Sequence, residues 1–235
     1  MKVGIIAAGK GERLTRGGIT TPKPLLPVAG RPLIARIIDA SAKLKAESVA
    51  CIVNDLNPTV AGYLRSTPWP LPVELVVKTT PSSMESLFSL APLLKDEPFL
   101  LFTVDVVFAL KSLENFIQHA SRLPRAKGVF ALTHFIDDEK PLWVVTDDRK
   151  RITVIGERAA GSQYVTAGFY YITPDVFSLI DMARQLRFSA LRQFLGLLVD
   201  EGHPIYGLPA GKTVDVDSPE DIATAEAFVR EMNEI

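Results

Sequence analysis

The sequence predicts an α/β protein in which a mixed, mostly parallel central sheet is flanked by helices. Three observations predict it. Lys2-Val3-Gly4-Ile5-Ile6-Ala7-Ala8 is apolar without alternation, as expected of a strand covered on both faces. Strand-like and helix-like segments then alternate through the first half of the chain, the pattern of a parallel sheet wrapped by helices. The first apolar run also ends in a loop with two glycines, Gly9 and Gly11, and three cations, Lys10, Arg13 and Lys23. Glycines let backbone N–H groups approach a ligand and cations match anionic oxygens, so this strand end is suited to a polyphosphate. In open α/β sheets ligands bind beyond the carboxyl ends of the strands.

The elements follow in order. Arg31-Pro32 opens a helix, proline suiting the first helical position, and Leu33, Ile34, Ile37, Ile38 and Leu44 mark its apolar face. Ser48–Val53 reads as a second strand and Pro58–Leu64 as a short helix. A proline-rich connector, Pro68-Trp69-Pro70-Leu71-Pro72, precedes a third strand, Val73–Val77. Ser82-Ser83-Met84-Glu85 has the spacing of a capping box, and Leu87, Leu90, Ala91 and Leu94 continue it at helical period. Phe99–Val104 is a fourth strand that ends at Asp105. In the second half, residues 127–133, 143–146, 152–155 and 164–172 read as strands, the middle pair forming a hairpin through Asp147-Asp148-Arg149-Lys150. Helices are expected after Thr173-Pro174, over Phe188–Val199, and after Ser218-Pro219, where Ile222, Ala225, Val229 and Met232 share a face. The whole chain, 1–235, reads as one domain of two halves, 1–110 and 111–235, the second carrying the closing helix.

Composition bounds the function. The 235 residues are 47% hydrophobic and 23% charged, with a formal net charge of −1 and no long basic run. That argues against nucleic acid or an anionic membrane as partner. No stretch reaches transmembrane length, and the N-terminal apolar run is too short for a signal peptide, so a cytoplasmic location is expected. The single cysteine, Cys51, sits in an apolar strand and reads as a core residue. His119, His134 and His203 show no metal-ligand spacing.

Two common phosphate-binding patterns fail. The first loop lacks the third glycine of a dinucleotide fingerprint, because Leu14 stands in that place. Gly207-Leu208-Pro209-Ala210-Gly211-Lys212-Thr213 is one residue short of a Walker A motif, and a strand, Val214–Val216, follows it where a helix is required.

A longer pattern does fit. Ile5-Ile6-Ala7-Ala8-Gly9-Lys10-Gly11-Glu12-Arg13-Leu14, followed by Thr21-Pro22-Lys23-Pro24-Leu25-Leu26-Pro27-Val28, resembles the opening signature of the nucleotidyltransferases that activate sugar-1-phosphates and related phosphate monoesters, phosphocholine among them. Val165-Thr166-Ala167-Gly168-Phe169 resembles a later strand and turn of that family, and Val214-Asp215-Val216-Asp217 its closing acidic segment. The resemblance implies a Rossmann-like nucleotide-diphospho-sugar transferase fold. It implies Mg²⁺-dependent transfer of a nucleotidyl group from a nucleoside triphosphate to a phosphorylated small-molecule acceptor, with release of pyrophosphate. It also implies that the first half, 1–110, binds the nucleotide and the second, 111–235, the acceptor.

That chemistry accounts for the residue types. A phosphate-monoester oxygen is already anionic near neutral pH, so no general base is needed. The barrier lies in bringing two anions together, which calls for positioning and charge neutralisation. By resemblance, Arg13 and Lys23 are the catalytic cations, and Ala7, Ala8, Gly9, Lys10, Gly11 and Ser83 contact the nucleotide. Asp105 is the principal Mg²⁺ ligand, completed by Asp215 or Asp217. Asp215 and Asp217 alternate with valines, so in a strand both face one side; helix capping is the rival role for Asp217. Glu157, Arg158 and Gly168 are expected on the acceptor. Two positions depart from the family pattern. Glu157-Arg158-Ala159 replaces Glu-Lys-Pro, and Ser82-Ser83-Met84-Glu85 replaces a glycine-rich turn, in the manner of phosphocholine cytidylyltransferases. Trp143, Tyr164 and Phe169 either line an acceptor pocket or pack in the core. Alternatives are a glycosyltransferase using Asp215-Val216-Asp217 with a nucleotide-sugar, a molybdopterin nucleotidyltransferase, and a catalytically silent nucleotide sensor.

Overall fold

A computed structural model of the protein describes residues 1–123, 125–136 and 141–233. In chain order the elements are β1 (Lys2–Ala7), α1 (Glu12–Arg16), β2 (Pro27–Val28), β3 (Arg31–Pro32), α2 (Leu33–Lys43), β4 (Val49–Val53), α3 (Pro58–Ser66), β5 (Val73–Val77), α4 (Ser83–Leu94), β6 (Phe99–Thr103), β7 (Val106–Phe108), α5 (Leu110–Ala120), β8 (Gly128–Thr133), β9 (Trp143–Thr146), β10 (Ile152–Ile155), β11 (Tyr164–Ile172), α6 (Ile180–Gln185), α7 (Leu191–Asp200), β12 (Ile205–Pro209), β13 (Thr213–Asp215) and α8 (Pro219–Asn233). Short 3₁₀ turns lie at Lys23–Leu25, Glu157–Ala159 and Pro174–Leu179.

The central sheet runs β10-β9-β11-β6-β1-β4-β5. Strands β5, β4, β1 and β6 are mutually parallel; β11 then reverses direction beside β6. Strand β8 pairs antiparallel to β11, and β12 adds to β8 in parallel. This is the expected mixed, mostly parallel sheet. Helices cover both faces, because β1, β4 and β6 are buried along nearly their whole length and have no solvent face to offer. One apolar cluster joins these strands to α2, α3 and α5; a second joins them to α4 and α7. A third lies between β7, β13 and α8.

Most expected strands fall within a residue of their observed bounds. The prolines behave differently from expectation: Arg31-Pro32 pairs with β2 as β3, and α2 starts one residue later at Leu33. The capping box is half made. Ser82 Oγ accepts from Glu85 N at 3.2 Å, but Glu85 turns outward to a two-point pair with Arg184 at 2.8 Å. A charge-assisted fork outweighs a bond back to a backbone N–H. The Walker-like stretch is divided between β12 and β13, as the missing helix implied. Cys51 is fully buried, and burial pushes its thiol up to about 12. Among the described residues no helix is long and apolar enough to cross a membrane.

Candidate active site

Four of the expected residues meet at one point. Asp105 lies in the turn between β6 and β7, at the carboxyl end of the parallel strands. Asp217 follows β13 on the next segment, where Val216 N donates to the Asp105 carbonyl at 3.1 Å. Lys23 opens its 3₁₀ turn between two prolines and reaches Asp105 Oδ2 at 2.7 Å and, on its other side, Asp217 Oδ1. Arg13 of α1 pairs with Asp217 Oδ2 at 2.7 Å. The Lys23 side chain is 11% exposed and that of Arg13 45%, so Lys23 is the enclosed member and Arg13 the one open to a ligand.

The charges support one another. Burial alone would lower the Lys23 ammonium, but the carboxylates of Asp105 and Asp217 outweigh it and hold it above its ordinary value. Burial likewise pushes Asp105 up, and the Lys23 charge, with hydrogen bonds from Lys23 and Thr103, holds it below the usual carboxylate range. Both stay ionised at neutral pH. Asp221, in the first turn of α8, accepts with Oδ2 from Asp217 N at 2.8 Å and Ser218 N at 2.6 Å, which fixes the backbone at Asp217 while its carboxylate meets Arg13 and Lys23.

This cluster divides a cleft with two chambers. The larger, about 560 Å³, lies over the carboxyl end of β1 and is lined by Ala8, Gly9, Lys10, Gly11 and Lys23 together with residues 80–83. The smaller, about 270 Å³, is lined by Thr133, Thr166, Gly168, Tyr170, Arg192 and Asp215 among others. Arg13, Ser83, Thr103, Asp105 and Asp217 border both. Two ligands bound on the two sides would therefore meet at Asp105 and Asp217.

Local structure explains how each wall is held. Gly11 sits at the N-terminus of α1 with φ 64°, the left-handed conformation that glycine adopts without strain. Asn54, just past β4, ties the loop down by donating to the Ala8 and Gly9 carbonyls at 3.3 Å. Ala7 is the last residue of β1 and is buried. Ser83 opens α4, and its Oγ accepts from Leu191 N at 2.9 Å, which pins the start of α7 across the cleft. Gly168 sits at an irregularity of β11, between Thr166 and Tyr170, with φ 75°. Its carbonyl accepts from Thr103 Oγ1 at 3.2 Å.

Some expected residues lie elsewhere. Glu157 and Arg158 occupy the 3₁₀ turn after β10, and Arg158 pairs with Asp200 at the end of α7; neither borders the two chambers. Phe169 is fully buried against Phe102, Phe108 and Phe116, which makes it core. Tyr164 packs at a tilt against His134, ring centroids 4.3 Å apart, and Trp143 is half-buried in β9; neither is among the residues that line the chambers. Conversely, Asn54, Thr103, Thr133, Tyr170 and Arg192 were not anticipated. Thr103 had a signal: it stands two residues before Asp105, on the same side of an extended chain.

Comparison with known proteins gives the family. A model of the MobA-like NTP transferase domain matches residues 3–166. The chain belongs to this family. Two proteins to which the chain is similar are the mannose-1-phosphate guanylyltransferase of Mycobacterium tuberculosis and the bifunctional protein GlmU of Methanocaldococcus jannaschii. The first is 27% identical over 232 residues, covering 96% of this chain and 62% of the relative. The second is 26% identical over 182 residues, covering 77% of this chain and 42% of the relative. The chain thus spans less than two thirds of either relative's length. The inositol-1-phosphate CTP transferase of T. maritima has the same fold, with a TM-score of 0.84 at 20% identity, covering 99% of this chain and 96% of that one.

Proposed function

We propose that this NTP transferase joins a nucleoside triphosphate to a polyhydroxylated phosphate monoester, a sugar or cyclitol phosphate, and releases pyrophosphate. The observation that carries this reading is the two-chambered cleft with Arg13, Asp105 and Asp217 on its shared border. The larger chamber, with its glycine loop and Lys10, suits a triphosphate. The smaller one, among residues of the second half of the chain, suits the acceptor. Family membership and the names of the relatives support the general reaction.

The acceptor chamber favours hydroxyl groups over a choline-like cation. Thr133, Thr166, Tyr170 and Thr213 present hydroxyls there, and Asp215 a carboxylate. A cationic head group calls for several aromatic faces. Phe169, Tyr164 and Trp143 stand in the core or outside the chamber; of the described residues, Phe135 and Tyr170 are the aromatic ones that line it, and Tyr170 also presents a hydroxyl. Burial pushes the Tyr170 phenol up to about 12, so it stays protonated and can donate.

The residues fit a Mg²⁺ ion. Asp105 and Asp217 aim their oxygens at a single cation, Lys23, and hard oxygen donors from one or two carboxylates are what Mg²⁺ takes when phosphates supply the rest. Asp105 and Asp217 would hold it, with Asp215 turned to the acceptor. When bound, the ion supplies positive charge to the phosphate oxygens around the reacting centre. The protein does the remainder by position. Arg13 and Lys10 neutralise the triphosphate, Lys23 keeps the two carboxylates apart or moves onto a phosphate oxygen, and Thr103 and Gly168 fix the acceptor wall against Asp105. An acceptor phosphate oxygen then attacks the α-phosphorus in line, and the bond to the pyrophosphate leaving group breaks. No proton needs to be removed from the nucleophile.

Pyrophosphate release tests this. The protein is incubated with Mg²⁺, each ribonucleoside triphosphate and dTTP in turn, against sugar-1-phosphates, inositol-1-phosphate and phosphocholine. Release with a sugar or cyclitol phosphate is expected. Release with phosphocholine alone would reassign the acceptor, and release with none would refute the reading.

A further inference from the structure

We propose that the protein carries a second anion site, remote from the cleft, that takes a phosphate ester. It is a cavity of about 380 Å³ between α2, β7, the start of α5 and the end of α8. It shares no lining residue with either chamber of the cleft.

Charge is the first reason. Among the described residues, Arg31, Arg36, Lys43 and Lys111 line the cavity against one carboxylate, Asp39. Asp39 is already matched: Arg31 grips it with Nε and Nη2, both at 2.8 Å. Lys111 is 79% exposed and reaches Glu114 at 3.4 Å, a surface pair of little strength. Arg36 and Lys43 therefore add two cations that the cavity's own carboxylate does not balance. In a protein with a net charge of −1 this is a local excess, not a general one.

Helix geometry is the second. Asp39 and Ala40 lie three and four residues after Arg36 and four and three before Lys43, so the four share one face of α2. Ala40, the small member, leaves the space between the two unbalanced cations open. Arg36 is half-buried, and its Nη1 donates to the Val28 carbonyl at 3.3 Å. Burial pulls its guanidinium down from its ordinary value, and the like charge of Arg31 adds to this against the opposing pull of Asp39. An anion in the cavity relieves that cost. The uncapped start of α5, with Ala109 at the N-cap, adds donors on the same side but does not itself make the site.

The walls indicate an organic phosphate and not a bare ion. Val106, Val107 and Phe108 form the floor, and Leu110 and Met232 are apolar neighbours. A phosphate held by Arg36 and Lys43 would leave its organic body on this apolar surface. A nucleotide and a sugar phosphate share that chemistry, and the experiment separates them.

Binding is measured by titration calorimetry with inorganic pyrophosphate in the absence of divalent metal. Two classes of site are expected in the unaltered protein. A Lys43→Glu/Lys111→Glu variant changes two solvent-exposed side chains, so it should melt at the same temperature. It should weaken one class at least tenfold and leave the other intact, whereas Lys23→Met should affect only the other class. Arg36→Gln should weaken the same class as the double variant. Competition by a nucleoside diphosphate or by glucose-1-phosphate then identifies the organic body. Pyrophosphate binding that is unchanged in both the double variant and Arg36→Gln, or a single class that Lys23→Met alone removes, would overturn the proposal. Neither result depends on whether the protein proves to be a transferase.

Discussion

The Lys23 ammonium sits 2.7 Å from Asp105 Oδ2 although the two residues are 82 positions apart in the chain, and its other side meets Asp217. The fold closes on a cation between two carboxylates. Without that cation, the carboxylates would face each other in a partly buried site. With it, they are held ready for a different cation of the same charge sense.

Replacing Lys23 by methionine should therefore have two effects. Turnover at saturating substrates should fall by about 10²-fold, the scale of losing one charged group placed at the reacting centre. Stability without metal should also fall, by roughly 1–3 kcal/mol, because Asp105 and Asp217 lose their shared counter-charge. Added Mg²⁺ should restore part of that loss by binding the folded state. Thermal melting with and without Mg²⁺ measures the second effect. A Lys23→Met protein that melts like the parent in EDTA would contradict it.

The same pair fixes a pH dependence in the metal-free protein. Asp105 is held below its ordinary value of 3.8, so its contribution is present above pH 3.8 and is lost as pH falls through the lower folded value. Lys23 is raised above its ordinary 10.5, so its contribution is present below pH 10.5 and is lost as pH rises through the higher folded value. Stability from this pair should be flat between those limits. Asp105→Asn should remove part of the acid limb, as read by urea unfolding between pH 2 and 7; an unchanged acid limb would show that Asp105 is not held down.

Gly168 should not tolerate alanine. Its φ of 75° is a left-handed conformation, and an added Cβ would lie 2.9 Å from Val106 Cβ and 3.1 Å from Thr103 Oγ1. Strain and overpacking together suggest a loss of roughly 2–4 kcal/mol. The urea midpoint of Gly168→Ala measures it, and an unshifted midpoint would mean that β11 relaxes without cost.

Tyr170 is buried, lines the acceptor chamber, and donates its hydroxyl to Thr166 Oγ1 at 3.3 Å. Tyr170→Phe should raise the acceptor KM about 3- to 10-fold, the worth of one neutral hydrogen bond, with the nucleotide KM unchanged. A rise in the nucleotide KM alone would exchange the roles assigned to the two chambers.

Much of this was legible in the sequence because local patterns were strong. Unbroken apolar runs gave β1, β4 and β6, and strand ends placed Gly9, Lys23 and Asp105 on one side of the sheet. Other features depended on distant chain. Helix α5 lies directly after an apolar run, and its spaced Leu113, Phe116 and Ala120 blend into it. Glu85 left its capping role because Arg184, 99 residues away, offered a better partner. Arg158 was expected on the acceptor by resemblance to the family's Glu-Lys-Pro segment; here it pairs with Asp200, a partner 42 residues away that no local pattern announces. Thr133 and Arg192 carry no motif, and only the packing of β8 and α7 around the cleft brings them to it; Asn54 acts through the glycine loop, which it meets only because β4 lies beside β1.

If one cleft joins its two ligands across Asp105 and Asp217, both products must form together. Phosphorus NMR of a single reaction mixture, containing Mg²⁺, the nucleoside triphosphate and the acceptor phosphate that release pyrophosphate, follows the two at once. Equal amounts of pyrophosphate and nucleotidylated acceptor in the parent protein, and neither in a folded Asp105→Ala variant, are predicted. Pyrophosphate without the acceptor adduct, or full activity in Asp105→Ala, would contradict it.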